Sequence, residues 1–349
     1  LGRKNSNPDS DFLIFLERLW FDCVSPILEE LQFSPPKRDG GDLPRIWWMG
    51  TGMASSLPFH AAGCHRPESV ENAYSCVVSS YTPSLKTLRY IREKGNRKPE
   101  RRTTLLVTMS TTPRANDLPG VATEADAIQE TMHPVKIVSQ PDSATVMGAL
   151  NDYSIAHFAC HGCSDTINPA ESYLALQGRD DLVPDKHTLQ SISEADLSQV
   201  WLAYLSACST AEHRVPDLAD EALHLASGFQ TAGFKHTVTA MWTSDDEICA
   251  NVARVFYHEL MESGIIDENR AIAVALHKAI KQVRLEHLDQ PYLWAQYVHS
   301  GPDSCQLVRV SADDTDDGED RGSISVQCPR HEGASEGSCT VRVIANAAK

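Results

Sequence analysis

The 349-residue sequence has no apolar run approaching the ~20 residues that span a bilayer, so a membrane-embedded protein is not expected. It also shows no secretory leader. Phe12 to Trp20 is apolar but short, and it carries Glu17 and Arg18. Cations are scarce: 31 Lys and Arg stand against 47 Asp and Glu, a formal net charge of −16. Nucleic-acid affinity needs clustered cations, so a nucleic-acid partner is not expected either. No internal repeat is visible, and the first residue is Leu1 rather than Met, which reads as the cut end of a longer protein. Cysteine is not lacking. There are ten, an even number, but the chain is long, and Cys160 and Cys208 sit inside apolar runs. That pattern suits reduced thiols in the cytoplasm better than the disulfide framework of a short secreted domain.

Short apolar runs recur along the chain: Arg45 to Met49, Thr103 to Met109, Val135 to Val138, Tyr153 to Ala159, Ser172 to Leu176, Val200 to Leu205 and His236 to Met241. Their length, and the Gly, Pro, Asn and Asp that bound them, suit buried strands of a mostly parallel sheet. Helical patterns lie between them, at Glu124 to Thr131, Ala222 to Thr231, Asp245 to Glu262 and Ala271 to Leu285. Strands alternating with helices predict an α/β three-layer sandwich. Lys86 to Arg102, rich in Lys and Arg, reads as an exposed loop. Residues 1–40 read as a linker or the end of an upstream helical region, 41–301 as one domain, and 302–349 as an acidic disordered tail. The tail includes Ser311 to Asp320, which holds six acidic residues and no basic one.

Two segments carry chemistry. Tyr153 to Cys163 (YSIAHFACHGC) is an apolar strand running into His161-Gly162. A side chain where a strand ends points into the crevice at the carboxyl edge of the sheet, and Gly162 lets a backbone approach closely. Val200 to Ala211 (VWLAYLSACSTA) is a second such strand, ending among small residues around Cys208. If the two strands are parallel neighbours, His161 and Cys208 face each other. An imidazole could then take the thiol proton and release a nucleophile. Each residue also has a plainer reading, Cys208 as a small core hydrophobe and His161 as a hydrogen-bonded strand end. His157, Cys160, His161 and Cys163 offer zinc-type ligands, but no second matching pair accompanies them. Alternation along a strand also sends Cys160 and His161 to opposite faces. Neither a metal nor another cofactor is expected.

HFACHG (157–162) and LAYLSACSTA (202–211) resemble the two signature segments of CHAT domains, caspase-like modules related to separase. The resemblance continues through DEALHLASGFQTAGFKHTVTAMWTSDDE (220–247), VFYHEL (255–260) and LWAQYVHSG (293–301). Upstream it includes SLPFHAAG (56–63) and SYTPSLKTL (80–88). It is strongest toward the CHAT domains that end large fungal proteins. It implies a caspase-hemoglobinase-like fold and a cysteine endopeptidase acting on protein substrates. His161 would be the general base and Cys208 the nucleophile. The backbone N–H groups of Gly162 and Cys208 would form the oxyanion hole. Asp245 and Asp246 match an acidic cluster that, in some relatives, lines a pocket for a basic residue at P1. Their plainer role is to begin a helix. Glu221 and His224 match family positions but also fit a helix N-terminus, Trp242 reads as core, and His157 as packing beneath the dyad. Arg179 and Arg214, the arginines nearest the dyad segments, sit in polar loops and offer no pocket for an acidic P1. The resemblance further suggests control by an upstream region of the same polypeptide, in a regulatory or cell-death and immune-type pathway. The competing class is a latent or non-catalytic signalling or scaffold module.

Overall fold

The computed structural model describes residues 7–35, 43–93, 103–163, 165, 168–178, 182–195, 197, 200–206, 219–242, 245–263, 269–302, 324–327 and 340–346. The chain divides into two compact units, Leu1–Tyr81 with Arg284–Ala295 and Cys305–Lys349, and Thr82–Val283 with Gln296–Ser304. Elements are numbered in chain order throughout.

In the first unit, α1 (Pro8–Leu19) starts with proline at its first position. Asn7 caps it by accepting the Asp9 N–H at 3.1 Å. A π-helical turn, Trp20–Val24, leads into α2 (Ser25–Glu30). Leu16, Leu19, Trp20, Cys23, Val24, Ile27 and Leu28 recur every three or four residues and are buried. That periodicity makes the segment part of the unit, where the sequence had suggested a linker or an upstream end. β1 (Arg45–Thr51) pairs in parallel with β2 (Val78–Tyr81), which follows the short helix α3 (Ala73–Cys76). On its other side it pairs antiparallel with β13 (Thr340–Asn346), which also pairs with β12 (Ile324–Gln327). The segment expected to be a disordered tail therefore holds two paired strands. TVRVIAN is rich in β-branched residues, which favour a pleated strand. The acidic run Ser311 to Asp320 lies outside the described residues.

The second unit carries the central sheet of interest. Its strands are β3 (Thr104–Thr108), β4 (Val135–Ser139), β5 (Ile155–Ala159), β9 (Leu202–Leu205), β10 (His236–Ala240) and β11 (Tyr297–Ser300), in the order β11-β10-β9-β5-β3-β4. Every pair is parallel except β10 with β11. A smaller antiparallel sheet follows the order β6 (His161–Cys163), β7 (Tyr173–Leu176), β8 (Asp185–Thr188). Its α-helices include α4 (Leu85–Glu93), α5 (Gly120–Thr131), α6 (Ser143–Leu150), α7 (Leu189–Ser193), α8 (Ala219–Ala232), α9 (Asp246–Glu262) and most of α10 (Asn269–Glu286).

Strand alternation separates the two faces of this sheet. Leu105, Val107, Ala156, Phe158, Ala203 and Leu205 pack with Val146 and Leu150 of α6, Leu189 and Ile192 of α7, and Leu225 and Phe229 of α8. The residues between them, such as His157 and Tyr204, meet Phe256 and Tyr257 of α9. Helices thus cover both faces, giving the α/β three-layer sandwich with a mostly parallel sheet. One segment differs from its sequence reading. Leu85–Glu93 is a helix rather than an exposed loop, because Leu88 and Ile91 share a face and are buried while Arg89 pairs with Glu93 one turn on. Residues 94–102 of that segment are outside the described set.

Four buried histidines make this fold sensitive to acid. Burial lowers His60 and His187 to about 4, and it lowers His65 and His277 to about 3 with help from Arg284 and from Lys281, Lys278 and Arg270 respectively. The unfolded chain protonates these rings near 6.5, well before the folded chain does. Their contribution to stability is therefore complete above pH 6.5 and is lost as pH falls toward 3–4. The slope is up to ~1.4 kcal/mol per pH unit for each ring. Urea midpoints should be flat from pH 8 to 7 and fall steadily between pH 6.5 and 4.5. An unchanged midpoint at pH 4.5 would contradict this.

Candidate active site

β5 ends at Ala159, Cys160 turns the chain, and His161 opens β6. Cys160 continues the alternation of Ala156 and Phe158 into the apolar core, which puts its thiol in a fully buried site and raises its pKa well above that of a free thiol. It is therefore held protonated and turned from any cleft. His161 is only 6% exposed, and its Nε2 lies 2.7 Å from the carbonyl oxygen of Asn116. A carbonyl can only accept, so Nε2 carries the hydrogen and Nδ1 of the neutral ring presents its lone pair. Asn116 belongs to the loop that follows β3. That loop leads outward through α5 to β4, while the chain after β5 proceeds the other way to β9. The carboxyl ends of β3 and β5 therefore flank a topological switch point, where open α/β sheets bind ligands.

Beneath His161 lies a buried polar group. His157 is fully buried and stacks on Tyr204, its register partner, with ring centroids 4.6 Å apart and planes 13° apart. Its Nδ1 is 3.0 Å from the Tyr257 hydroxyl of α9, and its Nε2 is 3.2 Å from Glu124 Oε1 of α5. Glu124 is itself 3% exposed, and its Oε2 accepts a hydrogen bond from the Ser206 hydroxyl at 2.9 Å. Burial beside this carboxylate pushes the Tyr257 phenol well above its ordinary range. Sequence reasoning placed His157 here but missed Asn116, Glu124 and Tyr257. A backbone carbonyl leaves no trace in residue type, and a glutamate at the start of a helical pattern reads as solvent-facing.

The other expected residues fall as follows. Gly162 is buried in β6 and paired with Leu174. Cys208 lies outside the described residues, as do Arg179 and Arg214 and the side chains of Glu221 and His224. Asp245 is exposed and caps α9, its Oδ1 accepting from the N–H groups of Glu247 (3.0 Å) and Ile248 (3.3 Å). Asp246 is half-buried, and its Oδ2 accepts from the Gly120 N–H at the start of α5 at 2.9 Å. Both aspartates thus serve helix N-termini, where negative charge is favoured. Trp242 is half-buried just past β10. Cys163 is a half-buried cysteine whose register partner is Tyr173. The Tyr173 hydroxyl is pushed up to about 12, by burial first and by its hydrogen bond to Cys163 second. Among the described residues no group of three or more His, Cys, Asp or Glu side chains is arranged to hold a metal ion. No helix among them is long and apolar enough to cross a membrane.

The CHAT domain family model matches residues 13–302. The match begins inside α1, in agreement with the packing of that helix. No curated protein sequence matches the chain. Similar solved structures include the complex of Porphyromonas gingivalis RgpB pro- and mature domains. It has a TM-score of 0.49 and 11% identity over 97% of this chain and 90% of that one. A structure of the Arg specific cysteine proteinase gingipain R gives 0.41 and 10%, over 80% and 70%. The Saccharomyces cerevisiae separase–securin complex gives 0.44 and 13%, over 72% of this chain and 15% of the separase-complex chain.

The contact between Asp246 and Gly120 can be tested through stability. A Cβ on Gly120 would sit 2.2 Å from the Asp246 Cβ, so Gly120→Ala must separate the two helix ends. Asp246→Ala should cost ~1–2 kcal/mol by removing the acceptor at a helix N-terminus, and Asp246→Asn should recover most of it. Urea unfolding at pH 7.5 measures both. Equal stability of the Ala variant and wild type would show that the cap contributes nothing.

Proposed function

The chain belongs to the CHAT domain family, and we propose that it is a cysteine endopeptidase in which His161 and Cys208 form the catalytic dyad. One observation carries this reading. β5 and β9 pair in parallel between residues 47 apart in sequence, Ile155 beside Leu202 through Phe158 beside Leu205, and 47 residues also separate His161 from Cys208. From Leu205 the chain needs three more residues to reach position 208, a span of at most ~11 Å. The orientation of His161 supports the same reading, since its Nε2–H is engaged by Asn116 and its Nδ1 is left to accept a thiol proton.

The chemistry would run in two halves. His161 Nδ1 takes the proton from Cys208, and the thiolate Sγ attacks the scissile carbonyl. The N–H groups of Gly162 and Cys208 receive the oxyanion. The C–N bond breaks, His161 returns the proton to the leaving amine, and a thioester remains. His161 then deprotonates water, which hydrolyses the thioester and regenerates the thiol. The substrate is a protein, cut after Arg or Lys where Asp245 or Asp246 meets the P1 side chain. Asp245 is the more available of the two, being exposed and using one oxygen for its helix cap.

Hydrolysis of fluorogenic peptides with Arg, Lys, Asp or Leu at P1 tests the reading. Wild type should cleave the basic peptides, Cys208→Ala should abolish cleavage, and His161→Ala should lower kcat by ~10²–10⁴-fold. Cleavage after Asp but not Arg would remove the basic pocket. No cleavage of any peptide, with Cys208 no more reactive to an alkylator than Cys163, would favour a non-catalytic module.

A further inference from the structure

We propose that Glu124 is a positioning residue for the nucleophile, acting through Ser206; this rests on the reading of Cys208 as that nucleophile. A carboxylate 3% exposed between a helix and a sheet is costly. Apolar residues of similar volume commonly fill such a place with no loss of stability. What Glu124 does that an apolar side chain would not is touch both strands that lead to the dyad. Oε2 takes the Ser206 hydroxyl at 2.9 Å, two residues before Cys208. Oε1 lies 3.2 Å from His157, four residues before His161.

The second of these contacts is the looser one. Glu124 Oε1 and His157 Nε2 are close, but neither atom makes a hydrogen bond of good geometry. The bond to Ser206 is therefore the directional one, and it fixes the side chain where the chain leaves β9. The carboxylate is itself placed from both sides. Asp246 holds the N–H of Gly120, one helical turn before Glu124, and the hydroxyl of Tyr257, also on α9, meets the other ring nitrogen of His157. A strand end that must present a thiol within hydrogen-bonding reach of His161 has little tolerance, because displacement by about 1 Å can cost ~10²-fold in rate. The bond from Ser206 to Glu124 supplies that constraint from within the core, on described residues.

The test compares wild type, Ser206→Ala, Ser206→Thr, Glu124→Gln and the Glu124→Gln/Ser206→Ala double variant. Readouts are kcat and KM on the preferred fluorogenic peptide, the iodoacetamide alkylation rate of Cys208 by peptide mass spectrometry, and the thermal midpoint. Ser206→Ala should lower kcat and Cys208 alkylation by ~10-fold or more, with KM within about twofold and the midpoint within a few degrees. Ser206→Thr, which keeps the hydroxyl, should recover most of the loss. The double variant should be no worse than the worse single one, because both remove one bond. If Glu124→Gln fails to fold, the two Ser206 variants decide the matter alone. Wild-type kcat and alkylation in Ser206→Ala would overturn the proposal, as would a loss confined to thermal stability. A wild type that cleaves no peptide leaves the alkylation rates to decide. A wild-type Cys208 no more reactive than Cys163 overturns this proposal together with the reading it rests on.

Discussion

The parallel pairing of β5 with β9 is the constraint on which the rest of the second unit depends. Parallel neighbours end at the same edge of a sheet, so whatever follows each strand is brought to one crevice without further design. Here the residues that follow are His161 on one side and Ser206 on the other, the latter two positions before Cys208. The same pairing sets His157 against Tyr204 as a flat stack, two residues before the end of β5 and one before the end of β9.

The two faces of the sheet have different chemistry. The face toward α6, α7 and α8 is apolar, with Phe158, Leu205 and Phe229 in its core. It needs only volume and shape, which hydrophobic cores meet with many sequences. The face toward α5 and α9 carries Glu124, His157, Tyr204, Tyr257 and Ser206 in mutual contact. Polar groups buried this deeply demand specific partners, as Glu124 has in Ser206 and His157 in Tyr257, so this face restricts the arrangement more than the apolar one does. The candidate site lies at the edge of the polar face.

Much of the fold was legible because buried parallel strands are short unbroken apolar runs. Thr103 to Met109, Tyr153 to Ala159 and Val200 to Leu205 each contain an observed strand, β3, β5 and β9. α9 was legible from its apolar face and its acidic first turn, and Asp245 does cap it. Four elements were not. For α1, residues 1–40 read as a linker or the end of an upstream helical region, and Phe12 to Trp20 as too short and charged for a leader, neither of which reports the burial of Leu16 and Leu19. α4 was hidden by the Lys and Arg on its exposed side, although Leu88 and Ile91 carry the burial. β12 and β13 stand apart in sequence from the other strands, beyond an acidic run that dominates the composition there. At the site, residue type pointed to His161. The Asn116 carbonyl and the Glu124 link to Ser206 depend on tertiary placement alone, and no periodicity reports that.

The central claim is that His161 and Cys208 act on one another as base and nucleophile. The most direct measurement is intact and peptide-level mass spectrometry after treatment with a peptidyl acyloxymethyl ketone carrying Arg at P1, a probe that needs an activated thiolate. The account predicts a single adduct, on Cys208, in wild type and none in His161→Ala. Adducts spread over Cys163 and other thiols, or equal labelling of Cys208 with and without His161, would contradict it.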